Sequence, residues 1–229
     1  MLTLKELTEN KTVALVGPSI SLLDHSYGDE IDSADIVIRT NKALPLDPTL
    51  STHIGTRCDV LYNCIEGHPR TSGNINPVLW KEHGVKLVVS SIPLNQRHPH
   101  IIHKIQNVLP LDGISPLFYN NLVNTIKCGL NTGFLGIAHV LSLNIKKLNL
   151  YGFTFYRDMA YPQYYKNVDF ETMTAHINKI KDSAKNVNPT QKIHGHDFER
   201  QLVYFKNVFY KRDRRIQVDK PLLDILNSL

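Results

Sequence analysis

The chain has 229 residues, 42% hydrophobic and 21% charged, which suffices for one sizeable core but not for two comfortable domains. We therefore expect a single domain over residues 1–229. No stretch reaches the roughly 20 consecutive apolar residues of a membrane span, and the polar N-terminus is unlike a signal peptide, so we expect a soluble protein. The net charge of +5 suits an anionic ligand. Because zinc-finger, RNP and long Lys/Arg signatures are missing, we expect no nucleic acid partner.

The first predicted strand covers residues 11–16 and ends in a Gly-Pro-Ser turn that enters a helix. With one glycine, the turn matches neither G-x-G-x-x-G nor a Walker loop. We expect it to expose backbone amides, beginning at Gly17, together with the hydroxyls of Ser19 and Ser21.

The second predicted strand, residues 36–41, carries Arg39 and Asn41 near its far end. Strand alternation places these two residues on the same side. An arginine and an amide there can contact a phosphate and a base or ribose. For Arg39 alone, a surface ion pair with Asp29 or Asp32 is an equal alternative.

Two further strands are predicted within residues 55–63 and over residues 85–92. The loop at 66–76 is long enough to be functional. Residues 93–124 are helical and irregular, and their periodicity does not order them. The chain has three cysteines, and their spacings fit no metal or redox motif. We therefore expect buried thiols in a reducing compartment.

The most informative stretch is Cys128 to Asp158, which predicts a turn, a helix, a turn, a strand and a polar loop. Asn131 or Thr132 is a natural N-cap for a helix that begins near Gly133. Four unpaired amides and the positive end of the helix dipole favour a phosphate there, although an ordinary capped helix is the alternative.

The strand at 148–153 then completes a βαβ unit, in which ligands collect at the carboxyl ends of the strands. Tyr151 is expected at that edge. A tyrosine-rich segment follows at 159–167, then a helix at 170–186, and a second helix, capped by Gly195 or Asp197, that continues to Phe209. Residues 211–215 form a basic turn that could rest on an anionic membrane or stay solvated, so membrane contact is at most peripheral.

Taken in order, these segments resemble the four motifs of the sialyltransferase family, family 29 of the glycosyltransferases. The matching segments are Val13–Asp59 for the long motif, Leu130–Phe153 for the short motif, Gln163–Lys166 for the third, and His194 with Glu199 for the very short one.

The resemblance implies a GT-A-like, Rossmann-type α/β/α sandwich with a mostly parallel sheet. It implies an inverting, metal-independent transfer of an acidic sugar, sialic acid first, from a CMP-sugar to a hydroxyl of a glycan acceptor, without a further cofactor. The sequence contains no Asp-x-Asp, the usual carboxylate pair for a nucleotide-sugar metal. A CMP leaving group has one phosphate and can depart with protein donors alone.

Site residues follow from the same resemblance. His194 would be the general base, since imidazole titrates near working pH and such proton transfer is worth roughly 10²–10⁴-fold. Glu199 would orient a loop or the imidazole. The nucleotide-sugar site would contain Gly17, Ser19, Arg39, Asn41, Asn131, Thr132, Gly133, Tyr151 and Tyr164.

Departures from the family pattern lead to two further expectations. Val13 and Ile145 stand where the family has a disulfide, which predicts a cytoplasmic protein. Pro18 and Gln163 replace a family Asn and His, which makes CMP-Kdo an alternative donor.

The identity of the base and the class of protein both stay open on the sequence alone. His196 is the rival base, and His194-x-His196 is a weaker zinc candidate. The competing hypotheses for the class are a different nucleotide-dependent enzyme, which binds NAD or SAM on a Rossmann-like sheet, and a non-catalytic module derived from a transferase.

Overall fold

The computed structural model describes residues 2–165, 169–185 and 195–229. Two predicted motif residues, Lys166 and His194, lie outside these ranges. Within them, seven strands form one sheet in the order β5-β4-β3-β2-β1-β6-β7. The strands are β1 (Thr12–Val16), β2 (Ile36–Thr40), β3 (Val60–Asn63), β4 (Leu87–Ser90), β5 (Leu111–Gly113), β6 (Lys147–Tyr151) and β7 (Ile216–Val218). Every neighbouring pair is parallel, as expected.

The helices lie between and after these strands. They are α1 (Leu4–Thr8), α2 (Gly28–Asp32), α3 (Ser51–Ile54), α4 (Pro77–Glu82), α5 (Pro99–Gln106), α6 (Pro116–Ile126), α7 (Thr132–Leu141), α8 (Pro162–Tyr165), α9 (Phe170–Lys185), α10 (Phe198–Tyr204) and α11 (Lys220–Asn227). In the described ranges, none of these helices combines the length and hydropathy that a bilayer crossing requires.

Side-chain alternation along β1 divides the core into two faces. Val13 and Leu15 pack on one face with α7, while Ala14 and Val16 pack on the other with the tyrosines of α8. The sheet is thus covered on both sides, which is what its almost wholly apolar strands require. This is the expected α/β/α sandwich.

The strand order reverses beside β1. The chain builds β1 to β5 outward in one direction, then crosses back through α7 and adds β6 and β7 on the other side. In an open parallel sheet, the crevice beyond the carboxyl ends of the strands at such a reversal is the usual ligand site.

Several predicted elements differ in detail from the structure. The turn after β1 enters a 3₁₀ helix, Ile20–Asp24, and not an α-helix. The helix expected to run to Phe209 ends at Tyr204 and continues as a π-helical turn, Phe205–Tyr210. The unordered region after β4 contains α5, the edge strand β5 and α6.

The cysteines Cys58, Cys64 and Cys128 are buried and unbridged, as expected. Val13 and Ile145 are both buried in the same apolar core. These two positions therefore act as packing residues.

Candidate functional site

An open cavity of about 250 Å³ lies at the reversal point, beyond the carboxyl ends of β1, β2, β3 and β6. The N-terminus of α7 forms one wall. The cavity brings together seven of the residues predicted for the site: Ser19, Asn41, Asn131, Thr132, Gly133, Tyr164 and His196.

Helix α7 begins at the cavity because Asn131 caps it. The Asn131 Oδ1 accepts from the amide of Phe134 at 2.9 Å, and its Nδ2 donates to Oε1 of the buried Gln201 at 2.8 Å. The amides of Thr132 and Gly133 have no hydrogen-bond partner among the described residues. They face the cavity at the positive end of the helix dipole, which is a ready anion site.

The turn after β1 does not offer free amides, and the expectation that it would is wrong. The Gly17 amide donates to the carbonyl of Tyr151 at 2.7 Å, and the Ser19 amide donates to that of Gly152 at 3.2 Å. Pro18 has no amide hydrogen. The extended backbone after β1 continues its pairing with the chain after β6, so it has no donor left for a ligand.

Ser19 instead forms a hydroxyl–carboxylate cluster with a residue that the sequence analysis missed. Its Oγ donates to Asp158 Oδ2 at 2.6 Å and accepts from the amide of Ser21 at 3.1 Å. The Thr154 hydroxyl donates to the other oxygen of Asp158. In this arrangement the Ser19 hydroxyl has no hydrogen left for a phosphate oxygen.

Asn41 follows β2 with a left-handed backbone, φ 45°. Its Oδ1 accepts from the amide of Cys64 at 3.1 Å, which fixes the orientation of the side-chain amide. Its Nδ2 has no partner among the described residues and is the donor that this side chain can offer a ligand.

Two aromatic residues of the cavity wall adopt strained backbone conformations. Phe155 has φ 53° and Tyr156 has φ 60°, values that bulky side chains rarely adopt. The Tyr156 ring stacks on that of Phe198 with centroids 4.0 Å apart. Strain of this kind concentrates at functional sites, where the surrounding structure maintains it.

Tyr164 closes the wall below Asn41. Its hydroxyl donates to the carbonyl of Thr40 at 3.2 Å, and burial raises its pKa, so the phenol stays neutral. Lys42, which the sequence analysis did not select, lies beside it with Nζ 5.6 Å from the ring centroid of Tyr164 and 5.4 Å from that of Tyr165.

Arg39 lies away from the cavity. Its side chain is buried and donates to the carbonyls of Ile54 and Arg57, each at 2.6 Å. Asp32, considered above as an ion-pair partner, accepts instead from the amides of Thr56 and Arg57. Arg39 therefore links β2 to the loop before β3 and does not share a site with Asn41.

Gly17, Tyr151 and Glu199 do not line the cavity either. The Tyr151 hydroxyl donates to Glu30 at 2.7 Å on the far face of the sheet, and burial raises its pKa. Glu199 is exposed and pairs with Arg157 at 2.8 Å. Gly17 lies beneath the cavity, where an added Cβ would lie 2.4 Å from the carbonyl oxygen of Gly152.

His196 lies in the cavity wall next to α7. The carbonyl of Gly195 accepts from the amide of Gly129 at 2.9 Å, which anchors His196 in the wall. The preferred base, His194, lies outside the described residues. Within the described ranges, no three His, Cys, Asp or Glu side chains form a group that could hold a metal.

Three residues of the cavity wall that the sequence analysis did not select could have been found only from their positions after strands. Asp158 and Thr154 stand in the polar loop after β6, at the edge where ligands collect, and Lys42 follows the strand that carries Asn41. No spacing rule links these positions to Ser19 or to the tyrosines, because the contacts join segments far apart in the chain.

Comparison with known proteins gives one family and one fold. Residues 4–94, less than half of the chain, match the sequence model of glycosyltransferase family 29, the sialyltransferases. No curated protein sequence matches the chain. The family match confirms the resemblance predicted from the motifs for the amino-terminal part.

Solved structures extend the likeness to nearly the whole chain. The monofunctional α-2,3-sialyltransferase Cst-I from Campylobacter jejuni is 16% identical, with a TM-score of 0.55 over 98% of this chain and 81% of that one. The fold is that of the sialyltransferases. The sialyltransferase CstII from Campylobacter jejuni, solved with the substrate analogue CMP-3FNeuAc, is 15% identical, with a TM-score of 0.51 over 93% of this chain and 88% of that one.

Proposed function

We propose that the protein is an inverting glycosyltransferase that moves an acidic sugar from a CMP-sugar to a hydroxyl of a glycan acceptor. The observation that carries the proposal is the meeting of the α7 N-terminus with the Nδ2 of Asn41 in one cavity, at the reversal point of a sialyltransferase fold. Sialic acid is the first candidate sugar because residues 4–94 match the sialyltransferase family.

The phosphate of the donor binds at the start of α7. The amides of Thr132 and Gly133 donate to its oxygens, and the helix dipole stabilises the negative charge that grows as CMP departs. Asn41 Nδ2 adds a neutral donor across the cavity. The single phosphate of CMP can depart with these protein donors alone, so the proposed reaction proceeds without a metal.

The Ser19–Asp158 pair binds a different part of the substrate from the phosphate. A carboxylate beside a phosphate raises the energy of both charges, whereas it accepts well from a hydroxyl. We therefore assign Asp158 and Ser19 to a hydroxyl of the ribose or of the sugar.

In the chemical step, a histidine removes the proton of the acceptor hydroxyl. The acceptor oxygen forms a bond to the anomeric carbon while the bond from that carbon to the phosphate oxygen breaks, and CMP leaves with the electron pair. His194 is the proposed base, and His196, in the cavity wall, is the rival. Glu199 acts through its ion pair with Arg157, which holds the loop after β6 against α10.

The buried thiols and the apolar pair Val13 and Ile145 support a cytoplasmic location, because nothing in this arrangement depends on a disulfide.

Donor assays test the proposal directly. Purified protein is incubated with an acceptor panel and CMP-sialic acid or CMP-Kdo, with and without EDTA, and CMP release is measured. We expect release with one CMP-sugar and the same rate in EDTA. Tight binding of UDP-sugars without binding of CMP would overturn the proposal.

A thermal-shift panel of CMP, CDP, UMP, UDP, NAD and SAM separates the competing functions. A ligand that binds only the folded form raises the melting temperature. We expect the largest rise with CMP. A rise with NAD or SAM alone would favour another nucleotide-dependent enzyme, and CMP binding without turnover of any donor would favour a binding module.

The base is assigned by paired variants. His194→Ala and His196→Ala are compared for turnover and CMP affinity, and we expect a loss of about 10²–10⁴-fold in turnover for the first with unchanged CMP affinity. If His194→Ala retains the wild-type rate and His196→Ala loses it, the base is His196.

A further inference from the structure

The loop between β3 and α4 forms a wall of the cavity that the proposed donor site does not use. Glu66, Arg70 and Thr71 of this loop line the cavity. The donor contacts proposed above come instead from α7 and from the loops after β1, β2 and β6. The wall after β3 is therefore available to the second substrate, the acceptor.

Arg70 is a cation of this wall whose charge the protein does not match. The residue is exposed. In the described part of the chain, its one hydrogen bond joins its backbone amide to Nδ1 of His68 at 3.2 Å, so the guanidinium has no protein partner there. All of its N–H donors are open to a ligand that enters the cavity.

The backbone on either side of Arg70 is held in place by the loop itself. The amides of Thr71 and Gly73 both donate to the carbonyl of His68 at 3.0 Å. The carbonyl of Ser72 accepts from the buried side-chain amide at the end of β3 at 3.1 Å. The loop therefore presents Arg70 at one place on the rim of the cavity, which lowers the entropy cost of binding.

The surroundings of Arg70 carry an excess of positive charge. Residues 66–76 and 93–106 contain three arginines and lysines but a single acid, Glu66. That acid lies beside Arg97, with Oε1 3.6 Å from Nη1, so its charge is already compensated. A rim of one sign attracts ligands of the opposite sign.

We propose that Arg70 binds an anionic group of the acceptor, a carboxylate or a phosphate, and so makes the enzyme prefer acidic glycans. This inference rests on the proposed function. A glycan continues beyond its reacting sugar and has to leave the cavity over the rim, where Arg70 is exposed, whereas Thr132 and Gly133, whose amides take the donor phosphate, are half-buried. The planar guanidinium presents paired N–H donors that match two oxygens of such a group.

Matched acceptors test the inference. Wild-type protein and Arg70→Gln are assayed for CMP release with sialyllactose and with its methyl ester, which has nearly the same size but no charge. We expect wild type to show a kcat/KM about five- to twentyfold higher for the acid, between the effect of an exposed ion pair and that of a charge-assisted hydrogen bond. In Arg70→Gln the ratio should fall to near one. Lactose phosphate, compared with lactose, shows whether a phosphate serves as well as a carboxylate.

Two further variants separate the charge of Arg70 from a structural role. Arg70→Lys keeps the charge and loses the paired donors, so we expect it to restore part of the preference for the acid. Arg214→Gln, an exposed arginine that does not line the cavity, is the matched control and should keep the wild-type ratio. Raising the salt concentration from about 20 to about 200 mM should reduce the preference in wild type, because exposed charges are screened.

Calorimetry with CMP and CMP-sialic acid shows whether Arg70 acts on the donor instead. Weaker binding of CMP-sialic acid by Arg70→Gln would assign the arginine to the donor and overturn the inference. Equal kcat/KM for the acid and its ester in wild type would also overturn it, as would CMP binding without use of any anionic acceptor. If wild-type protein binds neither CMP nor CMP-sialic acid, the proposed function itself fails, which is visible before any variant is made.

Discussion

The hydroxyl of Ser19 donates to the carboxylate of Asp158 at 2.6 Å, across 139 positions of sequence. The contact joins the turn after β1 to the loop after β6 at the mouth of the cavity. Because the carboxylate also accepts from Thr154, it holds two hydroxyls of the wall in fixed orientations.

We expect Asp158→Asn to reduce kcat/KM by about tenfold. The substitution removes the charge that orients Ser19 and Thr154, and hydrogen bonds to charged groups are worth about 1.5–3 kcal/mol. Steady-state kinetics with varied CMP-sugar measures the loss. Asp24→Asn, an exposed acid in the neighbouring 3₁₀ helix, is the control and should leave kcat/KM unchanged. Equal kinetics for both variants would remove Asp158 from the site.

We expect Arg39→Met to destabilise the fold by about 3 kcal/mol while CMP affinity stays unchanged. The carbonyls of Ile54 and Arg57 would lose their buried donor, and each unsatisfied group costs about 1–3 kcal/mol. Urea unfolding and CMP titration on the folded protein measure the two effects. The exposed Arg214→Met should change neither quantity. Lost CMP affinity with unaltered stability would instead return Arg39 to the nucleotide site.

Two glycine-to-alanine changes should have opposite effects on the free energy of unfolding. At Gly17 the new methyl group would clash with the Gly152 carbonyl, so we expect a loss of about 1–3 kcal/mol or more. At Gly136, within α7, it would meet Leu15 at an ordinary 3.7 Å, so we expect a gain of up to about 1 kcal/mol from helix propensity. Chemical denaturation of both variants checks the pair, and a stable Gly17→Ala protein would contradict the close approach of the two strands.

We expect the fold to lose stability as pH falls below about 6.5, in part through His139. Burial lowers its pKa, and its Nδ1 lies in a hydrogen bond with the hydroxyl of Tyr62 at 3.0 Å. The unfolded chain therefore binds this proton more readily than the folded one, so the stabilising effect is complete above about pH 6.5 and declines as pH falls toward the lower folded value.

The measurement for His139 is the free energy of unfolding between about pH 7.5 and pH 5, a window that spans the ordinary histidine pKa. His139→Gln should flatten its slope by up to about 1.4 kcal/mol per pH unit, whereas the exposed His83→Gln should keep the wild-type slope. A slope that is the same in all three proteins would show that His139 takes up its proton equally in both states.

Much of the fold was predictable because its signals are local. The apolar run of β1 predicts a strand that is covered on both faces. Asn131 is a favourable N-cap residue, which by itself predicts the start of α7. Edge strand β5 and helix α6 were not ordered in advance, since a three-residue strand at the edge of the sheet has too few residues to show a period.

The site was predictable only where backbone geometry defines it. Asn131 to Gly133 follow from a cap, whereas the contacts of Lys42 and Asp158 depend on which distant side chains the fold brings beside them. The same reason explains Tyr151 and Arg39, which stand at the ends of the correct strands but point to partners on the far face or in a neighbouring loop.

The close contact between Gly17 and Gly152 affects how the proposed transferase could diversify. Where main chain touches main chain, no exchange of side chains can deepen or reshape the base of the pocket. In the proposed transferase, new sugar or acceptor preferences would then arise at the rim, in segments such as the one between β3 and α4, while the two glycines stay as they are. Substrate preference would then change in one part of the polypeptide, while the base of the pocket is kept in another.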